Sequence, residues 1–78
     1  MDSSPTIELI IADMKDWLYE VYEDEYCQDV IRAASDHVII GTVSDIHDKG
    51  IMGFCDTWYG TRWGLEAYST ILEHSVSC

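Results

Sequence analysis

Positive charge is what this sequence has least of. Four Lys and Arg stand against 15 Asp and Glu in 78 residues, for a formal net charge of −11. Four scattered bases cannot build the Lys/Arg footprint that gives a protein affinity for nucleic acid. Direct binding to DNA or RNA is therefore excluded, and anionic membrane surfaces with it. Long apolar runs are missing too. The longest aliphatic stretch is Leu9-Ile10-Ile11-Ala12, where roughly 20 residues are needed to span a bilayer. Met1-Asp2-Ser3-Ser4 carries neither the positive region nor the apolar stretch of a secretory signal, so a cytoplasmic protein is expected. Cysteine occurs three times, at Cys27, Cys55 and Cys78, with no CxxC, which signals neither a redox motif nor a zinc knuckle. Cys27 and Cys55 read as free buried thiols and Cys78 as exposed. No repeat, linker or low-complexity tract is present.

What the chain does have is apolar content. At 47% hydrophobic and 12% aromatic residues, it falls outside the composition that stays disordered. A chain of this length buries only about 60% of its unfolded surface, enough for one core and a single domain over residues 1–78.

The N-terminal segment has helical periodicity. Ile7, Ile11, Met14, Leu18 and Val21 recur at spacings of four and three, widened by Ile10 and Trp17. Ser3 or Ser4 suits the cap, Pro5 the first helical position, and Glu8 the positive end of the helix dipole. Glu23-Asp24-Glu25 interrupts the pattern. A second, short helix is expected from Glu25 to Ala34 with Tyr26, Val30, Ile31 and Ala34 inward, and Ser35-Asp36 reads as a turn.

The next segments favour strands. His37 to Val43 is rich in β-branched residues, Ser44 to Gly50 is a polar connection, and Gly50 to Tyr59 reads as a second, antiparallel strand. A final helix from about Trp63 to Glu73 places Leu65, Tyr68, Ile71 and Leu72 inward. The fold expected is α+β: an N-terminal amphipathic helix, a short second helix, an antiparallel β-hairpin and a C-terminal helix. The alternative is a small all-α bundle, because Ile39, Val43 and Ile46 also share a helical face that Gly50 would end.

Charge carries the functional signal. The first 31 residues hold nine acids and one base, Lys15. Asp13, Asp16, Glu20 and Glu23 recur at helical spacing on one side, followed by Asp24 and Glu25. Like charges at such spacing repel by a few tenths of a kcal/mol per pair, a cost that Lys and Arg on a partner would offset. Tyr19, Tyr22 and Tyr26 lie among these acids and suit packing between basic side chains, Tyr19 and Tyr22 foremost, or equally a place in the core. The bland reading is that the carboxylates only keep the protein soluble.

The segment Trp58-Tyr59-Gly60-Thr61-Arg62-Trp63-Gly64 is a second candidate surface, with Trp58, Tyr59 and Arg62 as its contact residues. Two Trp, a Tyr and an Arg within six residues have the composition of an interface hot spot. Trp63 reads better as core filler, and the two glycines suggest a turn presenting Thr61 and Arg62. Asp45, His47, Asp48 and His37 match no metal-ligand spacing. Cys55 with His47 or His37 offers a nucleophilic pair only by composition. No catalytic residue, metal ligand or cofactor is assigned, and a non-enzymatic protein is expected.

In size, acidity and the carboxylates Asp13, Asp16, Glu20, Glu23, Asp24 and Glu25, the chain resembles the small proteins that bacteriophages encode against host defence, the anti-CRISPR proteins and DNA mimics. The resemblance is one of size and composition and brings no motif. It implies a stoichiometric inhibitor, monomer or homodimer. Its acidic helix face would occupy a basic surface of a nucleic-acid-processing complex and block target binding. The alternative is a structural or regulatory interaction module, in the homodimeric case self-associating, that uses the Trp58–Trp63 segment.

Overall fold

Ser35 and Ser44 bracket the stretch where strand and helix compete most closely, and helix wins. The computed structural model describes residues 6–77. Its helices are α1 (Ile7–Val21), α2 (Glu25–Ala33), α3 (Asp36–Ile46) and α4 (Gly50–Ser77). No strand occurs among the described residues. The α+β expectation and its hairpin are therefore wrong, and the all-α alternative holds.

The reason lies in the relative size of two effects. A β-branched residue in a helix costs at most about 0.7 kcal/mol, whereas burying an Ile or Val side chain contributes about 1.5–3 kcal/mol. As a helix, α3 buries both Ile39 and Val43, one turn apart, against α1 and α4. Ser35 is not a turn residue but the N-cap, its Oγ accepting from the Val38 N–H at 3.4 Å. Thr42 Oγ1 donates back to the Val38 carbonyl at 2.8 Å. The second supposed strand fails on geometry. Phe54 and Cys55 are adjacent and both fully buried, which the alternating faces of a strand do not allow at a one-sided surface. Gly50 begins α4 rather than ending α3, which stops at His47.

Helix α1 forms where its periodicity places it, with Ile10, Ile11, Met14 and Leu18 buried and Val21 exposed. Its cap is Thr6, whose Oγ1 accepts from the Leu9 N–H at 3.2 Å. Ser3, Ser4, Pro5 and Cys78 lie outside the described residues. Helix α2 is capped by Asp24, whose Oδ2 accepts from the Cys27 N–H at 3.2 Å. Of the four residues expected inward on α2, only Ile31 is fully buried; Ala34, just past its end, is half-buried, and Tyr26 and Val30 are exposed. Cys27 is half-buried rather than buried.

Helix α1 touches each of the other three helices, and α3 packs on α4. Phe54 occupies the join. Its ring lies 5.7 Å from Trp17, 6.2 Å from His47 and 5.4 Å from Trp58, centroid to centroid.

Helix α4 is two helical arms joined at one residue. Gly60 has φ 89° and ψ 173°, a backbone region essentially reserved for glycine. Beyond it the chain turns back, and Gly64 lands on Cys55. A Cβ at Gly64 would sit 2.8 Å from the Cys55 carbonyl oxygen and 3.0 Å from the Asp56 Cα. In an unbroken helix those positions are about 13 Å apart, so the contact exists only because of the break. The second arm buries Ala67 and Ile71, while Leu65 and Leu72, expected inward, are exposed. Gly60→Ala is expected to lower stability by about 1–3 kcal/mol, read as a drop in the urea midpoint.

Candidate interaction surfaces

The acidic row divides once the helices pack. Asp13 does not stand free: its Oδ2 accepts a 2.5 Å hydrogen bond from the Tyr59 hydroxyl, in a half-buried setting between α1 and α4. Asp24 serves as the α2 cap. Tyr19 and Tyr22 are half-buried and pack against the core instead of standing between the acids. Asp16, Glu20, Glu23 and Glu25 remain exposed, and none of the four makes a salt bridge among the described residues. The bases are used locally: Arg32 Nη1 meets Asp29 at 2.7 Å, and Lys15 Nζ donates to the Arg32 carbonyl at 3.3 Å.

The Trp58–Trp63 segment lies at the break in α4. Trp58 is 38% exposed and stacks on Phe54 at an interplanar angle of 23°. Tyr59 is tied to Asp13, so it is a strut between helices and not a free contact residue. Arg62 is exposed, its guanidinium 5.5 Å from the Trp63 ring, and Thr61 is exposed beside it. Trp63 is half-buried. Where the two arms close, they leave a cleft of about 390 Å³ lined by Lys49, Met52, Gly53, Asp56, Thr61, Gly64 and Leu65. Met52 is 48% and Leu65 58% exposed. Both escape a sequence reading that treats Leu65 as core. The available signal is Gly64, a small residue placed where one arm lies close to the other.

Burial sets the chemistry of the strut. Tyr59 is held protonated, first by desolvation and then by its bond to Asp13. Desolvation pushes the Cys55 thiol up to about 11, which leaves it a poor nucleophile. Both groups lose protons more readily in the unfolded chain, so their contribution is complete at neutral pH and is lost as pH rises. For Cys55 the loss runs from about pH 9 to about pH 11. Urea denaturation should therefore show falling stability over that window. Tyr59→Phe is expected to cost about 1.5–3 kcal/mol at pH 7 and to shrink the alkaline loss; equal midpoints for the two proteins would contradict this.

The histidines serve packing. His47 caps α3, lies tilted against Trp17 at 5.4 Å between ring centroids and accepts from the Lys49 N–H through Nδ1 at 3.4 Å. His37 lies 6.0 Å from His74, and His74 Nε2 is 3.5 Å from Asp36 Oδ2. Among the described residues no three of His, Cys, Asp and Glu gather as a metal-ligand set. No described helix is long and apolar enough to cross a membrane.

No protein family model, curated protein or solved structure matches the chain. Its function has to be argued from its surfaces.

Proposed function

We propose that this is a non-catalytic protein-interaction module, acting in the cytoplasm, whose docking surface is the cleft in α4 and the adjoining Trp58–Arg62 turn. The observation that carries this reading is a cleft lined by the exposed side chains of Met52 and Leu65 and by Gly64, where the second arm comes close to Cys55 on the first. Such a cleft takes an apolar side chain of a partner, and aromatic and Arg residues at its rim are the types that dominate interface energies. A net charge of −11 opposes pairing of two copies and favours a partner carrying Lys and Arg.

A second reading is favoured by the exposed carboxylates Asp16, Glu20, Glu23 and Glu25. It is an inhibitor that covers a basic surface of a nucleic-acid-processing complex, the anti-CRISPR type of action. Here affinity is electrostatic and weakens as salt shortens the Debye length from about 10 Å at 0.1 M to about 4 Å at 0.5 M.

One experiment separates the two. Tagged wild type, Leu65→Glu, Trp58→Ala and Asp16→Lys/Glu20→Lys are used to capture partners from cell extract at both salt concentrations, with circular dichroism confirming that each is folded. The cleft reading expects the partner to survive high salt and charge reversal and to be lost from Leu65→Glu and Trp58→Ala. A partner released by salt, lost on charge reversal and retained by Leu65→Glu sinks it in favour of the inhibitor. Capture of the chain itself, with a dimer in sedimentation, points to self-association and also sinks the heterologous version.

A further inference from the structure

Helix α2 leaves two apolar side chains in water that its own spacing prepares for a core. Tyr26 and Val30 are one turn apart, 76% and 51% exposed, on a nine-residue helix with a single fully buried residue. With Tyr22, Cys27 and Thr42 they line a shallow groove of about 310 Å³ between the α1–α2 elbow, α2 and α3. Val38, one turn before Thr42 on α3, is exposed as well. None of the residues lining this groove lines the cleft in α4.

The chain that joins two of the groove's lining residues carries charge of one sign. Tyr22 and Tyr26 are joined in the chain by Glu23, Asp24 and Glu25, all exposed. The one base on α2, Arg32, is held by Asp29. Two tyrosine rings beside carboxylates accept cationic side chains by ion pairing and by contact with the ring faces.

We infer that this groove is a second docking surface, and that its occupant is a basic peptide segment of a partner protein. A single apolar or aromatic side chain enters between Tyr22, Tyr26 and Val30, and flanking Lys or Arg meet Glu23 and Glu25. The inference does not rest on the cleft in α4, so either surface can fail its test alone.

The test is titration of the isotope-labelled 78-residue chain with a short amidated peptide carrying one Phe between Lys and Arg residues, followed by amide NMR shifts. A control peptide has serine in place of Phe. Shifts are expected at Cys27, Val30 and Thr42, with binding of the serine peptide weaker by about tenfold or more, as loss of a buried Phe requires. Tyr26→Ser/Val30→Ser, both exposed and so harmless to the core, should weaken the Phe peptide to a similar degree. Glu23→Gln/Glu25→Gln should flatten its salt dependence. Shifts confined to Asp16 and Glu20, shifts at Met52 and Leu65 instead, or equal binding of the two peptides would overturn the inference.

Discussion

Phe54→Ala is expected to remove about 3–5 kcal/mol of stability. Phe54 is 1% exposed, and its ring is the only one that lies against Trp17, His47 and Trp58 together among the described aromatic contacts. No neighbour can close the space: Trp17 and His47 are fixed on α1 and at the end of α3, and Trp58 is carried by the same helix as the lost ring. A domain of this size is stable by about 4–12 kcal/mol in all, so the variant should be close to half unfolded or worse if the wild type lies at the low end. Urea denaturation followed by tryptophan emission reads this directly, because Trp17 and Trp58 flank the cavity. A loss below about 1 kcal/mol would mean that the core is not organised around this ring.

Gly64→Ala should be nearly as damaging, against the direction that helix propensity gives. In an open helix, alanine is favoured over glycine by about 1 kcal/mol. At Gly64 the added methyl meets the Cys55 carbonyl oxygen at 2.8 Å and carbon at 3.0 Å. Both are backbone atoms and cannot swing aside, so the arms of α4 must separate at a cost of about 3 kcal/mol or more. Gly41 is the internal comparison. It lies in α3 with nothing within 4 Å of where its Cβ would be, and Gly41→Ala should stabilise by about 0.5–1 kcal/mol. Thermal melts of the two variants should therefore move in opposite directions. Movement in the same direction would contradict the close approach at Gly64.

The helix α1 was legible because its apolar residues repeat over four turns, long enough for periodicity to outweigh any single residue. The short α2 is legible almost to its ends, but its inward face is not. Nine residues give Tyr26 and Val30 the spacing of a buried pair without saying whether anything lies opposite. In the segment 37–59, local propensity points the wrong way. Val38, Ile39, Ile40 and Val43 are strand formers as residues, and what makes them helical is α1 and α4 alongside, which no local reading contains. On the surfaces, the exposure of Asp16, Glu20, Glu23 and Glu25 follows from helical spacing alone. The fate of Asp13 does not: its partner Tyr59 is 46 residues away in sequence. The turn that presents Thr61 and Arg62 to solvent is legible from its two glycines, but the cleft beside it depends on the fold-back at Gly60, which no local pattern contains.

The break at Gly60 also decides how large the molecule is. Twenty-eight residues of uninterrupted helix would run about 42 Å, longer than the 37 Å of the whole molecule's greatest dimension. With α4 straight, Ala67 and Ile71 could not reach the core that they share with Phe54 and Cys55. A single residue thus lets the last helical arm fold back onto its own chain, and the carboxylates that two copies would bring together supply a standing force against trading that arm between them.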